Sequence, residues 1–239
     1  MLFNKEIKLK AYTTDKTVYD FAKPIYKPPT PNWLKNLCPV KHIDPLTELP
    51  VVIPTAQTCP GIRDYLRKSI VLPAWYDFHI IVRPDGTYDI SGKQFNEIAT
   101  THPLFQLGSE FVKDNNLILL KLSSPWNLSC DEDVEFLYGP AFYSSSFFIE
   151  NDVLVPPGIV NFKHQHSTNI HLTLKVRKET YRIDVKMGTP LVSLVPITDR
   201  NIKIEHKLFS NPAEMMENLS SFPKVEIGKY YKKLQMLKK

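Results

Sequence analysis

From Leu117 to Thr198 the chain offers short apolar or alternating segments, broken by turn residues about every ten residues, which is the spacing of a sandwich or barrel rather than of a helical protein. The segments are "NLILLKLSSPW", "VEFLYGPAFY", "SSFFIENDVLV", "NIHLTLKVR", "YRIDVKMG" and "PLVSLVPIT". Upstream, "EIKLKAY" alternates as a strand does. "YDFHIIVRPDGTYDIS" reads as a hairpin whose turn is Pro84 to Gly86. Twenty prolines against eight glycines reinforce this reading, because proline interrupts long helices and punctuates loops. The expected fold is mainly β: a sandwich, jelly roll or β-clip-like barrel.

Two kinds of extension flank this core. "FAKPIYKPPTPNWLKNLCP" carries closely spaced prolines and reads as an extended, polyproline-like arm. Its aromatic anchors are Phe21, Tyr26 and Trp33, its candidate interaction residues are Tyr26, Pro28, Pro29 and Trp33, and it lies either on its own domain or on a neighbouring subunit. "IRDYLRKSI" has helical spacing, so one short helix is expected near 62–70. "NPAEMMENLSSF" opens a further helix in the manner of an Asn-Pro start with early acids. The last segment is helical in pattern and lysine-rich, with Lys232, Lys233, Lys238 and Lys239 as the residues that could touch nucleic acid or an acidic partner. The expected division is an arm over 1–45, a β-rich core over 46–205 and a helical, Lys-rich extension over 206–239.

Net charge is +5, which permits an acidic partner without pointing to one. Cys38, Cys59 and Cys130 are far apart and odd in number, so neither a zinc ribbon nor a disulfide framework is indicated. "MLFNKEIKLKAY" lacks the continuous apolar stretch of a signal peptide, and no apolar run approaches the roughly 18 residues of a membrane helix. The expected location is a cytoplasm.

The most suggestive chemistry lies in "GIVNFKHQHSTNIHLTL", which holds His164, His166 and His171. On a strand, His164 and His166 share a face and could ligate one metal ion. His171 has the opposite parity, and no acid follows until Glu179, which weighs against a metal centre. No glycine-rich phosphate loop or nucleophile elbow is present. "CDEDVE" lacks the spacing of a calcium loop. No catalytic residue and no cofactor are assigned. Trp75, Trp126, Phe136 and Phe147 are read as core residues. "VPPGIVN" and "KMGTPLVSLVP" are read together as a long arched hairpin.

Residues 139–195 resemble part of the trimeric dUTPase and dCTP deaminase group. "GIVNF" follows the layout of its glycine–apolar–apolar–aspartate motif, and "GPAFYSSSF" that of its serine motif. The resemblance implies a β-clip-like hairpin. Asn161 stands where the group's general base is an aspartate, and an amide cannot activate water. A broader resemblance covers about residues 10–200. "PPTPNWLKNLCP", "TCPGIRDYLRKSIVLPAWYDFHI", "SSPWNLSCDEDVEFLYGPAFYSSSF", "GIVNF" and "GTPLVSLVPI" are similar to a family of uncharacterised tailed-bacteriophage proteins. That resemblance implies a viral source, hence a host cytoplasm during infection and a possible place in the virion. The expected function is a non-enzymatic phage protein acting by assembly or binding, as a virion structural component in the capsid, neck or tail. It would work as a homo-oligomer or with other phage proteins. The alternatives are a dUTPase-like or cupin-like nucleotide- or metal-binding enzyme, and an intracellular effector that binds a host partner.

Overall fold

The computed structural model describes residues 6–21, 25–92, 99–101, 108–114 and 116–219. Lys232, Lys233, Lys238 and Lys239 lie outside them. The fold is mainly β, with several sheets in a sandwich-like arrangement and no closed barrel.

Strand Ile7–Thr13 alternates at its start, where Ile7, Leu9 and Ala11 are fully buried, and is buried on both faces from Ala11 to Thr13. It is the central strand of a three-stranded sheet. Ile202–Leu208 runs parallel to it, and Asn127–Cys130 antiparallel. Ile7–Thr13 falls inside the segment 1–45, and Ile202–Leu208 crosses the 205/206 boundary, so the core draws a strand from each flank.

A second sheet has the order Gly158–Asn161, Glu135–Pro140, Pro190–Pro196, Ile70–Pro73. The arched hairpin expected between residues 158–161 and 190–196 is therefore corrected. Glu135–Pro140 separates these two strands and pairs antiparallel with both, Phe136 facing Val160 on one side and Pro196 on the other. A third sheet is built on Ile170–Lys175 and Leu117–Leu122, flanked by Val153–Leu154 and Ala99–Thr101. The fourth contains the expected hairpin, Phe78–Val82 with Tyr88–Ser91, and adds Tyr181–Val185 on the other side. Gly86 holds the hairpin turn at φ +81°, a conformation that costs glycine nothing.

These four sheets share one core, to which Leu9, Phe136, Leu120 and Ile80 each bring a different sheet. Trp75, Trp126, Phe136 and Phe147 are all buried in it. The short helix runs Pro60–Lys68, with proline at its first turn, where the missing N–H costs no bond. The C-terminal helix is Pro212–Leu219. Ser210 and Glu214 bond at its entrance, and the Asn211 side chain accepts from the Glu214 amide.

"SSFFIENDVLV" is not one strand. Helix Phe147–Asn151 precedes the two-residue strand Val153–Leu154. Adjacent Phe147 and Phe148 are both buried, which a flat strand with one solvated face cannot arrange. The Ser145 hydroxyl accepts from the Phe147 amide, and Asp152 ends the helix in the left-handed region at φ 56°.

Candidate functional site

The polyproline segment lies on its own domain. Ile25 is fully buried, and Tyr26 bonds to Val71 in both directions through the backbone. Pro28 is half-buried and Pro29 exposed. Trp33 sits on helix Asn32–Lys35 and donates from Nε1 to the Tyr143 carbonyl at 3.3 Å. Its ring lies 6.1 Å from that of Tyr143, which in turn meets Tyr65 and Phe142 edge-on. Tyr26 and Trp33 thus tie the arm to the body, while Trp33 and Phe142 keep about half their surface in water.

Beyond Trp33 the chain leaves the body. Val40–Ile43 and Pro50–Ile53 form a two-stranded antiparallel hairpin that pairs with no other strand among the described residues. Every residue from 38 to 54 is exposed except half-buried Asp44. Val40, Ile43, Leu49, Val51, Val52 and Ile53 therefore stand in water on both faces. An isolated hairpin is marginal by itself. Its tip is nonetheless ordered by local bonds. Asp44 Oδ1 accepts from the Leu46 amide at 3.0 Å, and Oδ2 from the Thr47 hydroxyl at 2.8 Å. These donors hold the Asp44 carboxyl below its ordinary value. The Asp44 amide donates to the Leu49 carbonyl and Glu48 to the Asp44 carbonyl. Glu48 takes φ 54°, a left-handed turn that closes the tip. The result presents Leu46 with 94% of its surface exposed. At the base, Gln57 Nε2 donates to the Lys35 carbonyl, bringing the two ends of the excursion together.

Elsewhere the surface opens into an apolar cleft of about 310 Å³. Its floor is Leu72, Leu119, Phe162 and Leu194, with Pro156, Pro157 and Gly158 at the rim. The Tyr138 hydroxyl donates to the Asn169 carbonyl at 3.2 Å and accepts the His171 amide at 3.3 Å. Burial pushes the Tyr138 phenol well above its ordinary range, so it stays a neutral donor. The Thr168 hydroxyl bonds the Trp126 carbonyl at 2.6 Å and fixes the loop on the far wall.

The three histidines of the expected metal set go separate ways. His164 and His166 lie in a turn and the coil after it, not on a strand, so their shared parity does not apply. Asn161 starts this turn. Its carbonyl accepts from the amides of His164 and Gln165, and its side chain from that of Lys163. His166 Nδ1 bonds the Leu128 carbonyl, and His171 stands on strand Ile170–Lys175 at the cleft. Among the described residues, no three His, Cys, Asp or Glu side chains group to hold a metal ion. The acidic run "CDEDVE" is taken up in pairings: Asp131 with Lys10, Glu132 with Arg200, and Asp133 with Asn161.

One arrangement had no signal in the sequence. Ser91, His79 and Asp184 stand in one cross-strand row, beside a cleft of about 450 Å³. Ser91 Oγ lies 2.5 Å from His79 Nε2. A nucleophilic triad needs the carboxylate on the other imidazole nitrogen. Asp184 instead accepts from Arg182 at Nε and Nη2, at 2.9 and 2.6 Å. The row lies on the solvent side of its sheet, and the pairing is that of a polar outer face.

Among the described residues, no helix is long and apolar enough to cross a membrane. No protein-family model matches this chain, and no curated protein matches it.

Proposed function

We propose that the protein acts by assembly rather than by catalysis, as a structural component of a phage particle that inserts the 40–53 hairpin into a neighbour. The observation that carries this reading is the hairpin itself. Six large aliphatic residues on two faces and a leucine at the tip are costly in water. An ordered tip on an otherwise unsupported hairpin is what a partner would cover and stabilise. The phage setting comes from the sequence resemblance, and the cytoplasm of an infected cell is where such a component is made. Trp33, a few residues before the hairpin in the chain, belongs to an aromatic group with Tyr143 and Phe142 that extends the contact surface.

Two measurements test this together: sedimentation of the pure protein over a range of concentrations, and mass spectrometry of purified particles. Association, presence in the particle, or both supports the reading. A stable monomer absent from particles overturns it.

A further inference from the structure

The hairpin tip and the apolar cleft are two unmet surfaces on one chain, and they match in chemistry. We propose that Leu46, with Leu49 beside it, docks into the 310 Å³ cleft of a second copy of this chain, giving a head-to-tail contact. This rests on the assembly reading and gives that reading a partner and a site.

Three observations favour a second copy. The first is size. A cavity of about 150 Å³ lined by aliphatic residues holds a benzene. The cleft is roughly twice that, room for two leucine-sized groups. The second is polarity. The floor of Leu72, Leu119, Phe162 and Leu194 offers carbon to carbon, and the tip brings its own backbone bonds already satisfied by Asp44 and Leu49. The Asp44, Leu46 and Glu48 amides are thus bonded before docking, and an ordered tip has less entropy to lose. The third is charge. The tip carries Asp44 and Glu48 on either side of Leu46. Lys163 follows Phe162 of the floor in the chain, and Lys121 is the cross-strand neighbour of His171, so each stands next to a residue that lines the cleft. Opposite signs at the rim set orientation, while the leucine supplies the burial.

The contact is heterologous, because the surface that gives differs from the one that receives. Such contacts close into rings or run on as filaments, according to the rotation between copies.

Two variants separate donor from acceptor. Leu46→Asp removes the apolar tip. Gly158→Leu fills the cleft from its rim: Gly158 has ordinary φ, an added Cβ there meets nothing within 4 Å, and it shares a strand face with Val160, which lines the cleft. Each should weaken association in sedimentation velocity by about tenfold or more, as loss of a central anchor does. Circular dichroism should show both variants folded. For geometry, chains carrying Leu46→Cys are mixed with chains carrying Gln165→Cys, both in a Cys38→Ser, Cys59→Ser background, under mild oxidation. The expected product is the mixed disulfide.

Undiminished association in both variants, or disulfides only between two Leu46→Cys chains, overturns the docking and leaves assembly standing. A monomer at every concentration that is still found in particles overturns the second copy as partner, again leaving assembly. A monomer absent from particles overturns both.

Discussion

Tyr26 and Val71 form an isolated antiparallel bridge, each amide donating to the other's carbonyl, at 3.2 and 2.8 Å. The bridge adds residue 26 to the outer edge of strand Ile70–Pro73, so the proline segment is part of the body. The segment that leaves the body begins after Trp33.

Removing residues 1–35 should therefore destroy the fold rather than free it of an arm. That deletion takes away Ile7–Thr13, the middle strand of its sheet, and exposes both of its partners. Replacing residues 40–53 with a short Gly-Ser linker should leave the body folded. Val40 and Ile53 are directly paired, so the cut ends are close. Soluble yield and thermal unfolding check both; a folded 36–239 fragment would contradict the topology.

Thiol chemistry should divide the cysteines two to one. Cys38 and Cys59 are exposed, and Cys130 is buried. Burial pushes the Cys130 thiol above its ordinary value, so it is protonated as well as hidden at neutral pH. Titration with a thiol reagent should give two equivalents in the native protein and three after denaturation.

Thr168→Val should lower stability by about 1–2 kcal/mol, because it leaves the buried Trp126 carbonyl without its donor. Thermal or urea unfolding measures it. The far wall of the cleft loosens with it, so amide exchange around residues 165–169 should quicken in the same variant.

Stability should rise with pH through the region just below about 6.5, the ordinary value for histidine. Burial holds the His164 imidazole below that value, against a smaller opposing pull from Asp133. In this window the unfolded chain binds the proton and the folded one does not. The contribution is complete above the unfolded value and lost as pH falls towards the folded one. His164 is half exposed, so the slope is shallow. His164→Gln should flatten it in urea titrations at stepped pH.

What the sequence disclosed and what it hid divide along one physical line. Period-2 alternation located "YRIDVKMG", "NIHLTLKVR" and the Pro84–Gly86 hairpin, because each strand has one buried face. Pairing order is not a local property. Two segments bounded by turn glycines looked like partners, yet Glu135–Pro140 lies between them. Phe147 and Phe148 looked like strand residues because apolar runs are ambiguous when both neighbours are buried. The 40–53 hairpin escaped notice for the opposite reason. Its faces are both apolar and both exposed, so its pattern carries no inside or outside. The row of Ser91, His79 and Asp184 joins two strands of one hairpin to a third strand about a hundred residues later, a pairing that only strand register reveals.

The parallel pairing of Ile7–Thr13 with Ile202–Leu208 has a bearing on how the protein is made. Ile7–Thr13 waits for a strand made far later in the chain, and closing so long a loop makes native pairing slow. A ribosome paused short of Ile202 carries an N-terminal strand with one edge unmatched. The sheet is completed only once Ile202–Leu208 has been made, and until then the open edge of Ile7–Thr13 needs protection from other chains.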